Sequence, residues 1–167
     1  THWVLLPANA RRQYASLVSK QGDLLASSEN SPYNHSELIT HNSKLGVIAC
    51  GIAYNYVMEN EPQKQDIPVL KVSQYPLPEA AIKALAEQCD ALLIAEDGQP
   101  LVEEQVKSIL GADYPLKGRL TGDLPRMGEL TPDSVGAALG VNIEQPYTNA
   151  QNVMPRPPAL CQGCGHR

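Results

Sequence analysis

Two cysteines near the C-terminal end of the sequence have the types and spacing that chemistry requires. Cys161 and Cys164 form a Cys-Gln-Gly-Cys run, and His166 follows two residues later. Two thiolates three positions apart can bind one metal ion or one edge of a cluster, but a four-coordinate site needs further ligands from elsewhere. We therefore expect the chain to be one domain of a longer polypeptide that supplies those ligands.

The other two cysteines have apolar surroundings in the sequence. Cys50 closes an apolar run, and Cys89 lies on the apolar stripe of a predicted helix. Free cysteine in such a setting behaves as a small buried hydrophobic residue, so we interpret both as core residues rather than disulfide partners. A zinc-ribbon terminus would need a second Cys-x-x-Cys pair, and the sequence has only one.

Residues at the predicted strand ends are the next candidates. In doubly wound folds, ligands bind at the carboxyl ends of strands, which directs attention to Gly51 and to the run Glu96-Asp97-Gly98. Neither the dinucleotide-binding nor the P-loop glycine pattern is present. We interpret Gly51 as a tight turn into a helix and the Glu96-Asp97 pair as a solvated turn. Glu103 and Lys107 have the spacing of a surface ion pair.

The histidines predict no catalytic site. His2, His35 and His41 lie in polar segments without a carboxylate-rich ligand pattern, so we interpret them as solvated. No Ser-His-Asp or Cys-His arrangement indicates nucleophilic catalysis. We therefore predict neither a catalytic nor a cofactor-binding residue in this chain, and Cys161 and Cys164 remain its only metal-site candidates.

The middle of the chain repeats a strand and then a helix. Short apolar runs at 45–51, 67–72 and 91–95 predict strands buried on both faces. Helical periodicity predicts helices after each of them, at 52–59, 76–89 and 100–110. Because such units cross over with a right hand, they predict an α/β fold in three layers, a mostly parallel sheet with helices on both faces.

The flanking segments complete the predicted organisation. A long amphipathic helix over 9–27 would present its apolar face through Tyr14, Leu17, Val18, Leu24 and Leu25, and a polar loop over 28–43 would follow. A last helix is predicted over 132–139 with Thr131 as its N-cap. We accordingly divide the chain into an N-terminal helix and loop (1–44), an α/β core (45–141) and a linker to a further domain (142–167).

Composition narrows the function classes. The 167 residues are 43% hydrophobic and 19% charged, as in an ordinary globular domain, although phenylalanine is absent. A net charge of −5 gives no electrostatic reason to expect nucleic acid or an anionic membrane as a partner. No apolar run approaches the roughly 18 residues of a membrane span, and no signal peptide is evident, so we expect a cytoplasmic protein.

Six stretches of the sequence resemble a known family, in order and along nearly the whole chain. They cover residues 3–12, 46–57, 75–78, 103–106, 124–132 (LPRMGELTP) and 156–167 (RPPALCQGCGHR). The family is that of the α (large) subunits of indolepyruvate ferredoxin oxidoreductases, within the 2-oxoacid:ferredoxin oxidoreductases. Gly165 stands where the family usually has proline between the second cysteine and the histidine.

The resemblance implies a fold and a role. The α/β core resembles the transketolase C-terminal domain, which in such subunits lies between a pyrimidine-contacting and a diphosphate-binding domain. The parent enzyme is expected to use thiamine diphosphate, Mg²⁺ and [4Fe-4S] clusters to decarboxylate aryl pyruvates oxidatively to acyl-coenzyme A and to reduce ferredoxin. The Gly-Asp-Gly…Asn stretch that holds magnesium in thiamine enzymes is absent from this chain, so we expect no cofactor in the chain itself.

The resemblance also implies partners. They are the remaining domains of the α subunit, the β subunit and ferredoxin, with a second copy of the chain as a further candidate through Tyr54, Tyr56 and Val57. Cys161 and Cys164 match a pair that contributes to an iron–sulfur cluster in related enzymes. The alternative is an independent α/β module that regulates or that binds an acidic small ligand or coenzyme A at its strand ends.

Overall fold

The computed structural model describes residues 6–37, 42–143, 152 and 159–165. Its sheet has five strands in the order β1-β3-β2-β4-β5. Strands β2 to β5 are mutually parallel, and only the edge strand β1 pairs antiparallel, with β3. The strands are β1 (His35–Glu37), β2 (Gly46–Cys50), β3 (Val69–Val72), β4 (Leu92–Ala95) and β5 (Leu116–Lys117). The predicted fold class is confirmed.

Six α-helices and one short 3₁₀ helix surround this sheet within the described residues. The 3₁₀ helix is Pro62–Gln65. The α-helices are α1 (Pro7–Ser19), α2 (Gln21–Glu29), α3 (Ile52–Glu59), α4 (Glu79–Ala86), α5 (Leu101–Leu110) and α6 (Pro132–Leu139).

Alternate residues of each central strand face opposite layers, which gives the three-layer arrangement. Val47 and Ala49 of β2 pack with α3 and α6 residues such as Val57 and Val135. Ile48, from the same strand, packs in the other layer. There the core includes Ile82 and Leu85 of α4, and Val102 and Val106 of α5. Every residue of β2 and β4 is buried, as continuous apolar runs in a parallel sheet require.

Local signals set the ends of several helices where the sequence places them. The Thr131 hydroxyl accepts the Ser134 N–H, and the Ser134 hydroxyl accepts the Thr131 N–H, which completes a capping box before α6. Gly111 ends α5 with a φ of 91°. Gly51, with φ 57° and ψ −134°, makes the turn from β2 into α3. That backbone conformation is accessible almost only to glycine, so the turn interpretation is confirmed.

The N-terminal prediction is wrong in two respects. The single helix predicted over 9–27 is two helices, which meet at Lys20. The predicted loop over 28–43 contains β1, whose three residues give no periodic signal. Moreover, the apolar side chains of α1 are exposed, with Tyr14 at 68%, Leu17 at 51% and Val18 at 52%. We call the pair α1 and α2 the N-terminal hairpin.

Buried polar groups fasten this hairpin to the sheet. Ser28, at the end of α2, is fully buried, and its hydroxyl contacts the carbonyls of Gln74 and Pro76. The Asn34 amide donates to Ser28 and Gln74 oxygens, and its carbonyl accepts the N–H groups of Ser73 and Gln74. Glu29 accepts the Ala80 N–H in the first turn of α4. Hydrogen bonds to the loop after β3 therefore fix the position of the hairpin relative to the sheet.

Candidate functional site

The chain changes direction in the sheet between β2 and β4. Helix α3 leads from β2 to β3 across one face, whereas α4 leads from β3 to β4 across the other face and past β2. The loops after β2 and β4 therefore separate at their carboxyl ends. This is the topological switch point where ligands bind in open α/β sheets.

A cavity of about 590 Å³ lies at this switch point. We call it the strand-end cavity. Its walls come from the loops after β2, β3 and β4 and from the first turns of α5. The lining includes the polar side chains of Cys50, Tyr75, Glu96, Asp97, Gln99 and Gln105. The exposed apolar side chains of Ile52 and Leu101 border it as well.

Glu96 does not lie in a solvated turn, so that interpretation is wrong. It is 5% exposed, and its two carboxylate oxygens accept the N–H groups of Val102 and Glu103 at 2.9 and 2.8 Å. These are free donors of the first turn of α5, which a carboxylate satisfies well. Burial raises the pKa of Glu96, while the backbone hydrogen bonds act in the opposite direction. Glu96 thus caps α5 from the preceding strand.

Asp97 is held by an arginine that the sequence analysis did not single out. Arg119 is 1% exposed, and one of its terminal nitrogens lies 2.9 Å from Asp97 Oδ1. The Arg119 guanidinium also donates to the carbonyls of Glu96, Pro125 and Gly128. The planar guanidinium group of Arg119 therefore links the loop after β4 to the segment that precedes α6.

The segment 124–132 closes around this arginine. Leu124 and Leu130 are each 1% exposed in the core, whereas Met127 between them is 85% exposed. The Leu130 N–H also lies near Asp97 Oδ1, at 3.3 Å. The resemblance drew attention to this segment, but nothing in the spacing of Arg119 itself predicts that it is buried. Only the folded chain brings its five donors to three carbonyls and a carboxylate.

Glu103 is likewise buried, so the predicted surface ion pair with Lys107 is wrong. It is 3% exposed and accepts the Leu120 N–H at 3.0 Å. Its carboxyl group fills the space beside Gly118, where a Cβ would lie 2.5 Å from an oxygen of Glu103. Leu101, in the first turn of α5, is 62% exposed.

The cysteines of the core are buried and poorly reactive. Burial raises the pKa of Cys50 to about 12 and that of Cys89 to about 11, so both remain neutral thiols near neutral pH. Cys50 shares a hydrogen bond with the hydroxyl of Tyr75, whose pKa burial also raises to about 12. The interpretation of both cysteines as free core residues is confirmed.

The Cys161-Cys164 pair lies on a turn. The Cys164 N–H donates to the Cys161 carbonyl at 3.0 Å, and Gly163 between them has a φ of 81°. Cys161 is exposed, and Cys164 is half-buried. No group of three potential metal ligands occurs among the described residues. Two thiols on one turn suit half of a four-ligand site, and their role stays a prediction.

The one histidine that the structure describes, His35, does not line this site. His35 is an exposed residue of β1. His2, His41 and His166 lie outside the described residues.

In the part of the chain that the structure describes, no helix has the length and apolar character needed to cross a membrane.

Charge determines what the strand-end cavity can bind. Glu96 and Asp97 border it, and no lysine, arginine or histidine is among the lining residues that the structure describes. The N-terminal end of α3 also borders it with a partial positive charge of about +0.5, and Arg119 already pairs with Asp97. The described lining therefore offers no cationic side chain of its own to pair with a diphosphate group.

Fold and site together define a three-layer α/β domain with a mostly parallel sheet and an acceptor-rich cavity at its switch point. Comparisons with known proteins identify relatives of this chain. Relatives described as indolepyruvate oxidoreductase subunit IorA match nearly the whole chain. The protein from Methanothermobacter thermautotrophicus is 32% identical over 174 residues, which cover 99% of this chain. That from Thermococcus kodakarensis is 32% identical over 186 residues, and that from Archaeoglobus fulgidus 30% over 177.

The chain is therefore homologous to one segment of subunit IorA, and the resemblance found in its motifs is confirmed. It spans 28% of the length of each of these relatives. No protein-family model matches the chain, and no solved structure gives a significant match.

Proposed function

We propose that this chain is a scaffold domain of a thiamine-diphosphate-dependent indolepyruvate:ferredoxin oxidoreductase and is not catalytic by itself. The observation that carries the proposal is similarity to IorA along the whole chain, together with coverage of only 28% of the relatives' length. The domain would hold the cofactor-binding domains of the α subunit in register. The lack of a cationic side chain among the described lining residues of the strand-end cavity supports a role without direct cofactor binding.

The proposal keeps the division into 1–44, 45–141 and 142–167, with the last segment leading toward a diphosphate-binding domain. Its partners are the other α-subunit domains and the β subunit, with ferredoxin as electron acceptor. Val57 is fully buried under α6, so it cannot form the contact surface suggested from the sequence. The exposed apolar face of α1 suits such contacts better, because Tyr14, Leu17 and Val18 remain uncovered in this chain.

We further propose that Cys161 and Cys164 supply two of the ligands of an iron–sulfur cluster in the intact subunit. Their placement on one turn supports a shared ligand role, and two further ligands would come from elsewhere in the assembly. When bound, such a cluster would carry electrons toward ferredoxin. The chain's own contribution is to present two thiols on a surface turn.

The decisive experiment places this segment in a polypeptide of the full length of its relatives. That protein would be purified anaerobically with its partner subunit, and indolepyruvate-dependent ferredoxin reduction would be assayed. Activity that requires added thiamine diphosphate, together with no binding of the cofactor by the 167-residue chain in calorimetry, is expected. An inactive, well-folded long protein without cluster absorbance would overturn the proposal.

A double variant tests the cysteine role separately. Cys161→Ser with Cys164→Ser should remove cluster absorbance from the long protein and leave its folding intact. The matched control is Cys50→Ser with Cys89→Ser, which changes two buried thiols and should lower stability without selective cluster loss. Unchanged cluster content in the first variant would exclude the two cysteines as ligands.

A further inference from the structure

The strand-end cavity has the shape of a small-molecule site, independently of the scaffold role. Its volume of about 590 Å³ lies within the usual range for such sites, roughly 300–1,000 Å³. Its position at the switch point requires no rearrangement to create a crevice, because the diverging loops after β2 and β4 form it. Core packing on both faces of these strands fixes its walls.

The hydrogen-bonding groups on the β4 side of the cavity favour a ligand that donates hydrogen bonds. The Val102 and Glu103 N–H groups at the start of α5 already bond to Glu96, and the Leu101 N–H bonds to the Gln99 carbonyl at 2.8 Å. The Arg119 donors are directed to carbonyls and to Asp97 Oδ1. The backbone donors at the start of α5 and the donors of Arg119 are therefore committed to the protein.

Acceptors remain available. Within the described part of the chain, all the hydrogen bonds found for the Asp97 carboxylate go to Oδ1, which leaves Oδ2 to accept from a ligand. The Asp97 side chain is 34% exposed, so a ligand can reach it. The side-chain amides of Gln99 and Gln105 also border the cavity, and each can accept a hydrogen bond through its oxygen or donate one through its nitrogen.

Apolar surface borders the same cavity. Ile52 is 46% exposed, Tyr75 51% and Leu101 62%, and all three border the same cavity. An aliphatic or aromatic group of a ligand would cover them, which would remove apolar area from water at about 25 cal/mol per Å². From cavity, charge and apolar rim together, we propose that the strand-end cavity binds a small primary amine with an apolar body. Its ammonium group would bond to Asp97.

Two probes of similar size and opposite charge test the proposal on the 167-residue chain. Phenethylamine should bind with saturation at neutral pH and shift the backbone amide NMR signals of Gly51 and Gly98. 3-Phenylpropionate should bind at least about ten-fold more weakly, because it would place a carboxylate against Glu96 and Asp97. Equal affinities for the two probes, or shifts confined to the N-terminal hairpin, would overturn the proposal.

A charge inserted at the rim adds an independent test. Ile52→Arg should weaken phenethylamine binding about ten-fold and strengthen 3-phenylpropionate binding. The control is Leu120→Arg, which adds the same charge at a residue with the same 46% exposure that does not border this cavity. It should leave both affinities unchanged. Equal effects of the two variants would indicate a general charge effect and refute the site.

Discussion

Helix α1 and the helices on the sheet are both amphipathic in sequence, yet they lie in opposite environments. Helix α5 buries Val102 and Val106 against the sheet, whereas α1 buries none of its residues. Leu85 of α4 is fully buried, while Leu17 of α1 is 51% exposed. An apolar stripe therefore predicts that a helix has a surface to cover, but not that the same chain covers it. The uncovered stripe fits a segment whose relatives are much longer than this chain.

The largest effect on stability is expected at Arg119, in the covered region. Arg119→Ala should lower the free energy of unfolding by about 3–5 kcal/mol, because it leaves three carbonyls without their guanidinium donor and Asp97 without its cationic partner. Arg119→Lys should retain only part of the stability that Arg119 provides, since lysine lacks the planar guanidinium group with its five donors. Urea denaturation measures both. A loss below about 1 kcal/mol for the alanine variant would show that the hydrogen bonds of Arg119 contribute little to stability.

The comparison itself is tested by one substitution in each region. Leu85→Ala should cost about 2–5 kcal/mol through lost burial and a cavity. Leu17→Ala should change the free energy of unfolding by less than about 0.5 kcal/mol in this chain. In the full-length subunit, Leu17→Ala should become costly if other domains cover α1. A large loss from Leu17→Ala in the isolated chain would show that α1 is already packed.

A smaller and local effect is expected where the two regions meet. Asn34→Ala removes the amide that links Ser28 to the loop after β3 and should destabilise the attachment of the hairpin by about 1–3 kcal/mol. Hydrogen exchange of α1 and α2 should become faster while that of β2 and β4 stays unchanged. The control is Asn30→Ala, which loses a bond to Ala26 within the same helix. Similar exchange in both variants would contradict this role for Asn34.

The smallest effect concerns the thiols and leaves stability unchanged. At pH 8, a disulfide reagent such as DTNB should modify Cys161 and Cys164 rapidly because they are accessible. Cys50 and Cys89 should react only after unfolding, because burial raises their pKa to about 12 and 11. Their reactivity should rise as the pH approaches these values. Four equally fast thiols at pH 8 would show that the core opens readily.

The site was only partly predictable from the sequence. The carboxyl ends of the strands, Gly51 and Glu96 included, could be located because apolar runs and glycines mark where strands end. The functions of Glu96 and Glu103 could not, since each accepts a backbone N–H of a segment that packing brings close. Nothing in the sequence around Arg119 indicated that it is buried, because its hydrogen-bond partners lie up to 23 residues away in the chain.

What the sequence alone determined is local or periodic. Apolar runs defined β2, β3 and β4, the 3.6-residue period defined α3 to α5, and Thr131 marked the start of α6. The motifs also indicated the resemblance to indolepyruvate oxidoreductase subunits, which the similarity to the relatives confirms. Only the tertiary structure decided that β1 joins the sheet, that the N-terminal helix divides into two, and which carboxylates are buried. Those outcomes depend on contacts between distant segments, and burial is a property of the whole packed chain rather than of any residue in it.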